Sequence, residues 1–283
     1  MFITRFAPSP TGPLHLGHAF SAMLAHDMAR AAGGIFHLRI DDIDQSRSRP
    51  EWEARIGDDL AWLGLSWPEP VWRQSARLPR YRTALHSLWT RGLLYPCRCS
   101  RADIRAAASA PQEGAPLLGP DGIVYPGTCR PARPPQGALP DTALRLDMAR
   151  ALAQLDTAPR FLETGAGPGG ERGLIAAGDM IATIGDVVLA RPGMGASYHL
   201  AITCDDADQG ITHVVRGQDL FAATRIHVLL QRLLGLPTPV YHHHRLIRDE
   251  AGRRLAKRDD ARALATLRAA GCRPADIRAM VGL

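Results

Sequence analysis

The stretch Arg5-Phe6-Ala7-Pro8-Ser9-Pro10-Thr11-Gly12-Pro13-Leu14-His15-Leu16-Gly17-His18 decides how this chain is interpreted. A short apolar strand pattern runs into its prolines, which interrupt regular structure. Apolar residues then follow Leu16 at the spacing of one helical face, namely Phe20, Met23 and Leu24. We therefore predict that His15 and His18 lie at the N-terminus of a helix.

A helix start that carries two histidines suits a phosphate group. The first backbone N–H groups of a helix lack partners and carry a partial positive charge, so anions bind there. The imidazoles add hydrogen-bond donors, and Gly17 leaves space for a flat base beside the backbone. The residues alone thus indicate a nucleotide phosphate site. The alternative is a pair of histidines that only cap the helix.

As a whole, residues 5–18 resemble the signature of class I aminoacyl-tRNA synthetases, and Arg5 to Gly12 are similar to the glutamyl branch of that family. The resemblance implies an α/β fold with a Rossmann-like parallel sheet. It also implies that His15 and His18 bind the phosphates of ATP, which enters with Mg²⁺. By the same resemblance, glutamate contacts the start of the motif, namely Arg5, Phe6, Ala7, Pro8 and Ser9.

Length, charge and cysteine content restrict the class of protein. The 283 residues suffice for one large domain or two small ones, and the net charge of +6 fits a polyanionic partner such as RNA. A solvated arginine-rich surface is the alternative explanation of that charge. No signal peptide or bilayer-spanning run is visible, and five cysteines argue against a disulfide framework. We expect a soluble, cytoplasmic, monomeric enzyme without a membrane partner.

Strand and helix patterns alternate in the first part of the chain. Residues 35–40 are typical of a buried strand, and Asp41 follows at its carboxyl end. Trp52, Ile56, Leu60 and Leu63 then keep helical spacing. This alternation predicts a parallel sheet that binds ligands at the carboxyl ends of its strands. Residues 165–170 match a dinucleotide-binding pattern, but no clear strand precedes them and no helix pattern follows, so we predict a loop.

The proline and glycine content of the sequence, together with what the resemblance to class I synthetases implies, predicts four segments. Residues 1–95 form the first half of the Rossmann-like catalytic domain. Residues 96–178 are rich in proline and glycine and are interpreted as an inserted, zinc-bearing subdomain. Residues 179–240 form the second half of the catalytic domain, including a helix that ends at Gly235. Residues 241–283 hold an ATP loop and a short helical C-terminal segment, and an anticodon-binding domain is not expected.

A second polar strand end lies at residues 211–220, where a strand pattern leads into Arg216, Gly217 and a potential helix cap, Asp219. Read alone, this is one more core strand with a polar end. The resemblance implies that Arg216 holds the carboxylate of glutamate, which its guanidinium matches with two parallel hydrogen bonds. It further implies that Tyr198 contacts the substrate. Asp41 is matched to the residue that binds the amino group, although the family has a longer glutamate there.

The run Arg254-Leu255-Ala256-Lys257-Arg258 resembles the second class I signature, in a degenerate form. The resemblance implies that Lys257 binds the phosphates of ATP. Read alone, the run is an ordinary basic surface turn.

Three cysteines flank the predicted insertion at positions 97, 99 and 129. In a reducing compartment, soft ligands at such spacing are more typical of zinc than of disulfides. Cys97, Cys99 and Cys129 leave a tetrahedral site one ligand short, and resemblance to short glutamyl-tRNA synthetase paralogues implies Tyr125 as the fourth. The metal would be structural. The alternative is three unmetallated thiols.

The resemblance extends from Arg5 to about residue 260 and is strongest to those short paralogues. They are inferred to activate L-glutamate with ATP and to transfer it to the queuosine base of tRNA(Asp). The alternatives are a split or truncated synthetase that charges tRNA(Glu), an inactive RNA-binding module, and a nucleotidyltransferase that acts on a small molecule.

Overall fold

The computed structural model describes residues 1–109, 117–248 and 263–283. The strands in this part of the chain are β1 Ile3–Phe6, β2 Ile35–Ile40, β3 Trp72–Arg73, β4 Leu94–Pro96, β5 Leu118–Gly119, β6 Gly122–Ile123, β7 Leu144–Leu146, β8 Arg160–Glu163, β9 Gly173–Ala176, β10 Val188–Ala190, β11 His213–Gly217 and β12 Val240–His244. The helices are α1 Leu16–Ala31, α2 Pro50–Trp62, α3 Leu78–Thr90, α4 Arg101–Ser109, α5 Met148–Ala153, α6 Met180–Thr183, α7 Tyr198–Asp208, α8 Thr224–Leu234, α9 Leu264–Ala269 and α10 Pro274–Val281. Turns of 3₁₀ helix span Gln74–Arg77 and Gln218–Leu220.

A parallel sheet forms the centre of the molecule, as the sequence predicts. β1, β2 and β3 pair in parallel, and so do β11, β12 and β8. The two groups meet where β1 lies beside β11, and the Thr212 amide donates to the Ile3 carbonyl at 2.9 Å. The strand order reverses at this junction. Such a switch point opens a crevice at the carboxyl ends of the strands, where ligands bind in open α/β sheets.

Helix α1 has the predicted position and begins at Leu16. Its buried face is rich in alanine, with Ala19 and Ala22 fully buried beside Met23, so the helix approaches the sheet closely. The predicted strand 35–40 is confirmed, and so is the helical spacing from Trp52 to Leu63, which corresponds to α2 and its C-cap. The stop of α8 at Gly235 is confirmed as well, and its φ of 65° suits a glycine C-cap. Among the described residues, none of the helices combines the length and apolar character needed to cross a bilayer.

A smaller antiparallel sheet of order β10-β7-β4 lies beside the central sheet, and the β5–β6 hairpin belongs to the same region. This arrangement differs from the segments expected above in two places. β8 and β9 fall inside residues 96–178 but extend the central sheet through β12, while β10 falls inside residues 179–240 but pairs with β7. β8 and β9 are only four residues long, too short for their periodicity to stand out. The regular pattern at residues 187–190 is visible in the sequence, but it does not show that β10 pairs with β7.

The glycine-rich run 165–170 connects β8 to β9 and is a loop, as predicted. The expectation that no strand precedes it is wrong, because β8 ends two residues earlier, but no helix follows it. Gly165 allows a close approach of two backbones: a Cβ there would lie 2.2 Å from the carbonyl oxygen of His243. The Gln218 side chain donates to the carbonyls of Ala166 and Gly167 at 2.9 and 3.2 Å. The run therefore packs against β12 and the turn after β11.

Candidate functional site

A cavity of about 380 Å³ opens at the junction of β1 and β11. The residues that follow β1, the start of α1 and the end of β11 all contribute to its wall. The structure brings together here most of the predicted ATP and glutamate residues, namely Arg5, Phe6, Ala7, Pro8, Ser9, His15, His18, Tyr198 and Arg216. These residues come from three separate parts of the sequence and meet because the strand order reverses at this point.

The two histidines lie at the helix start, as predicted. His15 is the N-cap of α1, and its Nδ1 accepts a hydrogen bond from the Gly17 amide at 3.1 Å. The Nδ1 atom of His18 accepts from the His15 amide at 3.2 Å. A neutral imidazole that accepts at Nδ1 carries its proton on Nε2. Both rings therefore present an Nε2–H donor, and their centroids are 3.8 Å apart.

Gly17 lies between the two histidines and lines the cavity. A Cβ atom at this position would lie 3.0 Å from Cε1 and 3.2 Å from Nδ1 of the His15 ring. Contacts this short would displace the imidazole, whose Nδ1 caps the helix. The glycine thus keeps space at the helix start for the His15 ring, which sequence reasoning did not anticipate.

Arg216 is a buried cation at the end of β11, with 5% of its surface exposed. Its Nε donates to His243 Nε2 at 3.1 Å, and one Nη contacts His227 Nδ1 at 3.2 Å. The other Nη donates to the Thr224 hydroxyl at 2.7 Å and to the Leu220 carbonyl at 3.3 Å. Among the described residues, every direct hydrogen-bond partner of this guanidinium is thus neutral or can be neutral. Since a buried charge is costly without a counter-ion, the cavity is suited to an anionic ligand.

The two histidine partners of Arg216 were not singled out as site residues from the sequence. His243 is the middle of the triplet 242–244 on β12, and its Nδ1 lies 2.5 Å from the buried carboxylate of Glu163. Burial lowers the pKa of His227 far below its usual value, and the charge of Arg216 lowers it further. His244, which follows His243 on β12, instead lines the cavity, because successive side chains of a strand point to opposite faces. Nothing in the spacing of His227 or Glu163 marks them in the sequence.

A buried ion-pair network positions Arg5. Both carboxylate oxygens of Asp206 accept from Arg5, at 3.0 and 3.1 Å, and one of them also accepts from Arg39 at 2.7 Å. Burial opposes the ionisation of Asp206, but the charges of Arg5 and Arg39 outweigh it and hold the pKa of this carboxyl below its usual value. Asp206 lies on α7, so this helix fixes the side chains at the ends of β1 and β2.

Asp41 lies beside this network and is 6% exposed. Arg39 Nε donates to one of its carboxylate oxygens at 2.8 Å, and the other oxygen is buried without a hydrogen-bond partner among the described residues. Burial raises the pKa of Asp41 to about 6, despite the opposing charge of Arg39. Its backbone amide donates to the Pro8 carbonyl at 3.0 Å, which connects it to the loop that lines the cavity. Asp41 is not among the residues that line the cavity, so the structure brings it next to the predicted glutamate residues but not into the cavity wall.

Tyr198 and Asp219, two further residues singled out in the sequence, also line the cavity. Tyr198 is the first residue of α7, capped by Ser197, and its ring lies edge-on 5.8 Å from that of His227. Asp219 does not cap a helix, because it lies inside the 3₁₀ turn 218–220, whose N-cap is Gly217. A polar residue after a strand fits either arrangement, so the sequence did not distinguish them.

The three predicted cysteine ligands meet at one point of the inserted region. The Sγ atoms of Cys97, Cys99 and Cys129 lie within 4.8 Å of one another. The Tyr125 hydroxyl lies 3.6 Å from Cys97 Sγ and 3.4 Å from Cys99 Sγ. A tetrahedron with zinc–sulfur bonds of about 2.3 Å has edges of about 3.8 Å. These four side chains therefore fit one metal ion, although the arrangement does not identify which metal.

The surroundings of the cysteine cluster act differently on its members. The pKa of Cys99 is raised, because a hydrogen bond from Tyr125 lowers it less than burial and the neighbouring thiols raise it, and burial raises the pKa of Tyr125. Arg145 Nε donates to Cys97 Sγ at 3.2 Å, and the guanidinium lies 3.8 Å from the centroid of the Tyr125 ring. A hydrogen bond from the Tyr125 hydroxyl lowers the pKa of the Cys129 thiol to about 7. Thiolates are the form that binds metal, so the convergence of three thiols beside this cation is the observation that supports a metal centre. The remaining cysteines, Cys204 and Cys272, are not part of the cluster.

Lys257, the predicted phosphate contact, lies outside the described residues, as do Arg254 and Arg258. The antiparallel bridge between His15 and Ala263 shows that the chain returns to the helix start directly after this segment. The assignment of Lys257 stays a prediction.

Comparison with known proteins identifies the family. Residues 1–116 and 177–282 match the model of tRNA synthetases class I (E and Q), catalytic domain. The glutamyl-Q tRNA(Asp) synthetase of Rhodobacter capsulatus is 67% identical over 283 residues, which cover 99% of this chain and 100% of that protein. The match spans the whole of that relative.

Solved structures give the same picture of the fold. A glutamate tRNA ligase from Elizabethkingia meningosepticum, solved in complex with its amino acid, is 28% identical with a TM-score of 0.68. It matches 91% of this chain, which spans only 52% of the ligase. A methionyl-tRNA synthetase from Mycobacterium tuberculosis is 11% identical with a TM-score of 0.57. The match covers 99% of this chain and 63% of the methionyl-tRNA synthetase, and at this identity it shows a shared fold alone. The chain thus spans about half of the length of the solved glutamate ligase.

Proposed function

The chain belongs to the glutamyl-Q tRNA(Asp) synthetases, within the class I tRNA synthetases for glutamate and glutamine, and we propose that it activates L-glutamate with Mg-ATP and transfers it to the queuosine base of tRNA(Asp). The high identity over the full length of the Rhodobacter relative supports this assignment. The alternative, charging of tRNA(Glu), is not favoured. The observation that carries the proposal is the buried Arg216, whose hydrogen-bond partners within the described part of the chain are all neutral or can be neutral.

The first step forms glutamyl-adenylate in the cavity between β1 and β11. An oxygen of the α-carboxylate attacks the α-phosphorus of ATP, the bond from that phosphorus to the bridging oxygen breaks, and pyrophosphate leaves. Arg216 and Arg5 hold the glutamate, while the Nε2–H groups of His15 and His18 stabilise negative charge on the phosphates. Lys257 completes the phosphate site in this proposal. No side chain acts as a nucleophile, so alignment of the two substrates supplies much of the rate enhancement.

The second step transfers the glutamyl group to RNA. A hydroxyl of queuosine attacks the carbonyl carbon of the adenylate, and AMP leaves with the phosphate oxygen of the mixed anhydride. The cavity proposed for the adenylate is lined by Arg5 and Arg216, by His15 and His18, and also by Tyr198, Asp219 and apolar side chains. His227, which contacts Arg216, stays unprotonated because its pKa is far below neutrality. The chain therefore offers orientation and charge stabilisation for both steps.

The RNA substrate is tested by incubating the protein with labelled glutamate, ATP and total tRNA from cells with and without queuosine. We expect label to enter only the queuosine-containing tRNA and to be recovered in tRNA(Asp). Equal labelling from both sources, with label in tRNA(Glu), would favour a truncated glutamyl-tRNA synthetase. Glutamate-dependent exchange of pyrophosphate into ATP tests the activation step separately, and its absence would point to an inactive RNA-binding module.

The carboxylate of Asp41 makes glutamate binding dependent on pH. Its pKa of about 6 means that it is charged at pH 7 and loses its charge as the pH falls through 6. In the proposed site it accepts from the ammonium group of glutamate, so each pH unit below 6 should raise the KM for glutamate by up to about tenfold. The measurement is pyrophosphate exchange at saturating ATP between pH 5 and 8. Asp41→Asn is the control, with a raised KM that does not change in this window. A flat KM in the unmodified protein would contradict the role of Asp41.

We also propose that Cys97, Cys99, Tyr125 and Cys129 hold one structural zinc ion. Its role is to stabilise a segment that has only short strands and a small core of its own. The protein purified without chelator should contain one equivalent of zinc, and Cys99→Ser should lose the metal and lower the Tm. Cys272→Ser is the matched control, since this cysteine lies outside the cluster. Zinc-free protein with an unchanged Tm would refute the site.

A further inference from the structure

A chain of polar side chains leads from Arg216 to the surface of the inserted region. His227 Nδ1 lies 3.2 Å from the Arg216 guanidinium, and His227 Nε2 lies 3.1 Å from His199 Nδ1. His199 Nε2 in turn lies 3.6 Å from a carboxylate oxygen of Asp121. Both histidines are buried, whereas the Asp121 side chain is 36% exposed. Asp121 lies in the turn between β5 and β6, so the chain crosses from the central sheet to the insertion.

The direction of each hydrogen bond between Arg216 and Asp121 follows from the guanidinium of Arg216. A guanidinium only donates, so His227 Nδ1 must accept and the single ring proton of His227 lies on Nε2. That proton is donated to His199, whose Nδ1 must therefore accept. The proton of His199 consequently lies on Nε2 and faces Asp121. Burial and the charge of Arg216 keep the pKa of His227 low, in agreement with a neutral ring.

The second histidine next to Arg216 is anchored differently. His243 Nε2 accepts from Arg216, and its Nδ1 faces Glu163, which is buried and also accepts from the His243 amide at 2.9 Å. This anchor is rigid, because both groups lie inside the central sheet. The chain through His227 instead ends at a half-exposed carboxylate, 3.6 Å away, just beyond hydrogen-bond length.

We propose that Asp121 is a positioning residue for Arg216 and acts through His199 and His227. With Asp121 in place, the tautomer of His199 that carries the proton on Nε2 is favoured. Without Asp121, the tautomer of His199 that carries the proton on Nδ1 becomes accessible. In that tautomer the Nδ1–H of His199 faces the Nε2–H of His227, and this repulsion disturbs the contact of His227 with Arg216. This inference rests on the proposed function, in which Arg216 binds the carboxylate of glutamate. It makes the affinity for glutamate depend on a residue of the inserted region.

The test compares three variants by glutamate-dependent pyrophosphate exchange. Asp121→Ala should raise the KM for glutamate about fivefold, because it removes the oxygen that faces the Nε2–H of His199, and leave kcat within about twofold. Asp121→Asn should restore a KM close to that of the unmodified protein, because the amide oxygen can also face this N–H group. Asp141→Ala is the matched control, since it removes an exposed aspartate of the same inserted region, and it should leave both constants unchanged.

The outcomes separate this inference from the proposed function. If the unmodified protein shows no exchange, the proposed function fails. If it is active and Asp121→Ala leaves the KM unchanged, or Asp121→Asn behaves like Asp121→Ala, the positioning role is refuted. A second readout does not depend on activity: ¹⁵N shifts of the imidazoles should report the Nε2–H tautomer for His199 and His227. Asp121→Ala should move the His199 signals towards a mixture of tautomers, and unchanged signals would contradict the proposal.

Discussion

Replacing Arg216 by alanine is expected to lower kcat/KM for glutamate in pyrophosphate exchange about 1000-fold, the effect of removing one partner of a buried charge pair. The substrate carboxylate would enter a dry cavity without its counter-ion. The substitution also leaves His243 and His227 without their donor. Arg216→Lys keeps the charge but not the planar fork, so it should lose about 100-fold. The KM for ATP should change little, because His15 and His18 lie on α1.

The control for this variant is Arg82→Ala, which removes an exposed arginine on α3, away from the cavity. It should leave exchange within about twofold of the unmodified protein, as expected for a surface substitution away from the site. The melting temperature of each variant reports whether the fold is retained. If folded Arg216→Ala keeps the glutamate KM and kcat of the unmodified protein, the carboxylate binds elsewhere and the proposed site is wrong.

Replacing Asp206 by alanine is expected to have the largest effect on stability. Its carboxylate accepts from two buried arginines, Arg5 and Arg39, which are 4% and 0% exposed. Removing it leaves both cations without this partner, at a cost of about 3–5 kcal/mol. For a chain of this size, that lowers the Tm by roughly 10 °C. Thermal unfolding followed by circular dichroism measures the shift, and the KM for glutamate should rise because Arg5 loses its anchor.

Asp208 offers the matched control on the same helix. It pairs with Arg77 and Arg80 at the surface, where its side chain is 27% exposed. Asp208→Ala should cost at most about 1 kcal/mol, since solvent screens such pairs. Because the pKa of Asp206 is held below 3.8, its contribution is present at neutral pH and is lost as the pH falls through the folded pKa. Equal Tm shifts for the two variants at pH 7 would contradict the buried network.

Much of the fold follows from local sequence patterns. The N-terminal motif, the spacing after Leu16 and the run 35–40 are continuous in the chain, so propensity and periodicity are enough to find them. The strands β8, β9 and β10 were not placed correctly, because strands this short depend on their neighbours rather than on their own pattern. Their position in a sheet is a tertiary property.

The site residues also fall into those that the sequence predicts and those that it does not. His15, His18 and Arg216 belong to motifs, and the resemblance assigned them roles that stay proposals. The groups that orient them come from distant segments: Asp206 is 201 residues from Arg5, and Glu163 is 80 residues from His243. A single sequence contains no signal for such pairs, since any aspartate or histidine on a buried face looks alike. The pairing of β8 with β12 brings Glu163 beside His243, and the packing of α7 brings Asp206 to Arg5.

A crystal structure of the protein with glutamate and a non-hydrolysable ATP analogue tests the central claim most directly. We predict that a carboxylate of glutamate lies within hydrogen-bond distance of the Arg216 guanidinium. We also predict that the nucleotide phosphates face the Nε2 atoms of His15 and His18 in the same cavity. Glutamate bound outside this cavity, or an Arg216 that still contacts only protein groups in the complex, would contradict the account.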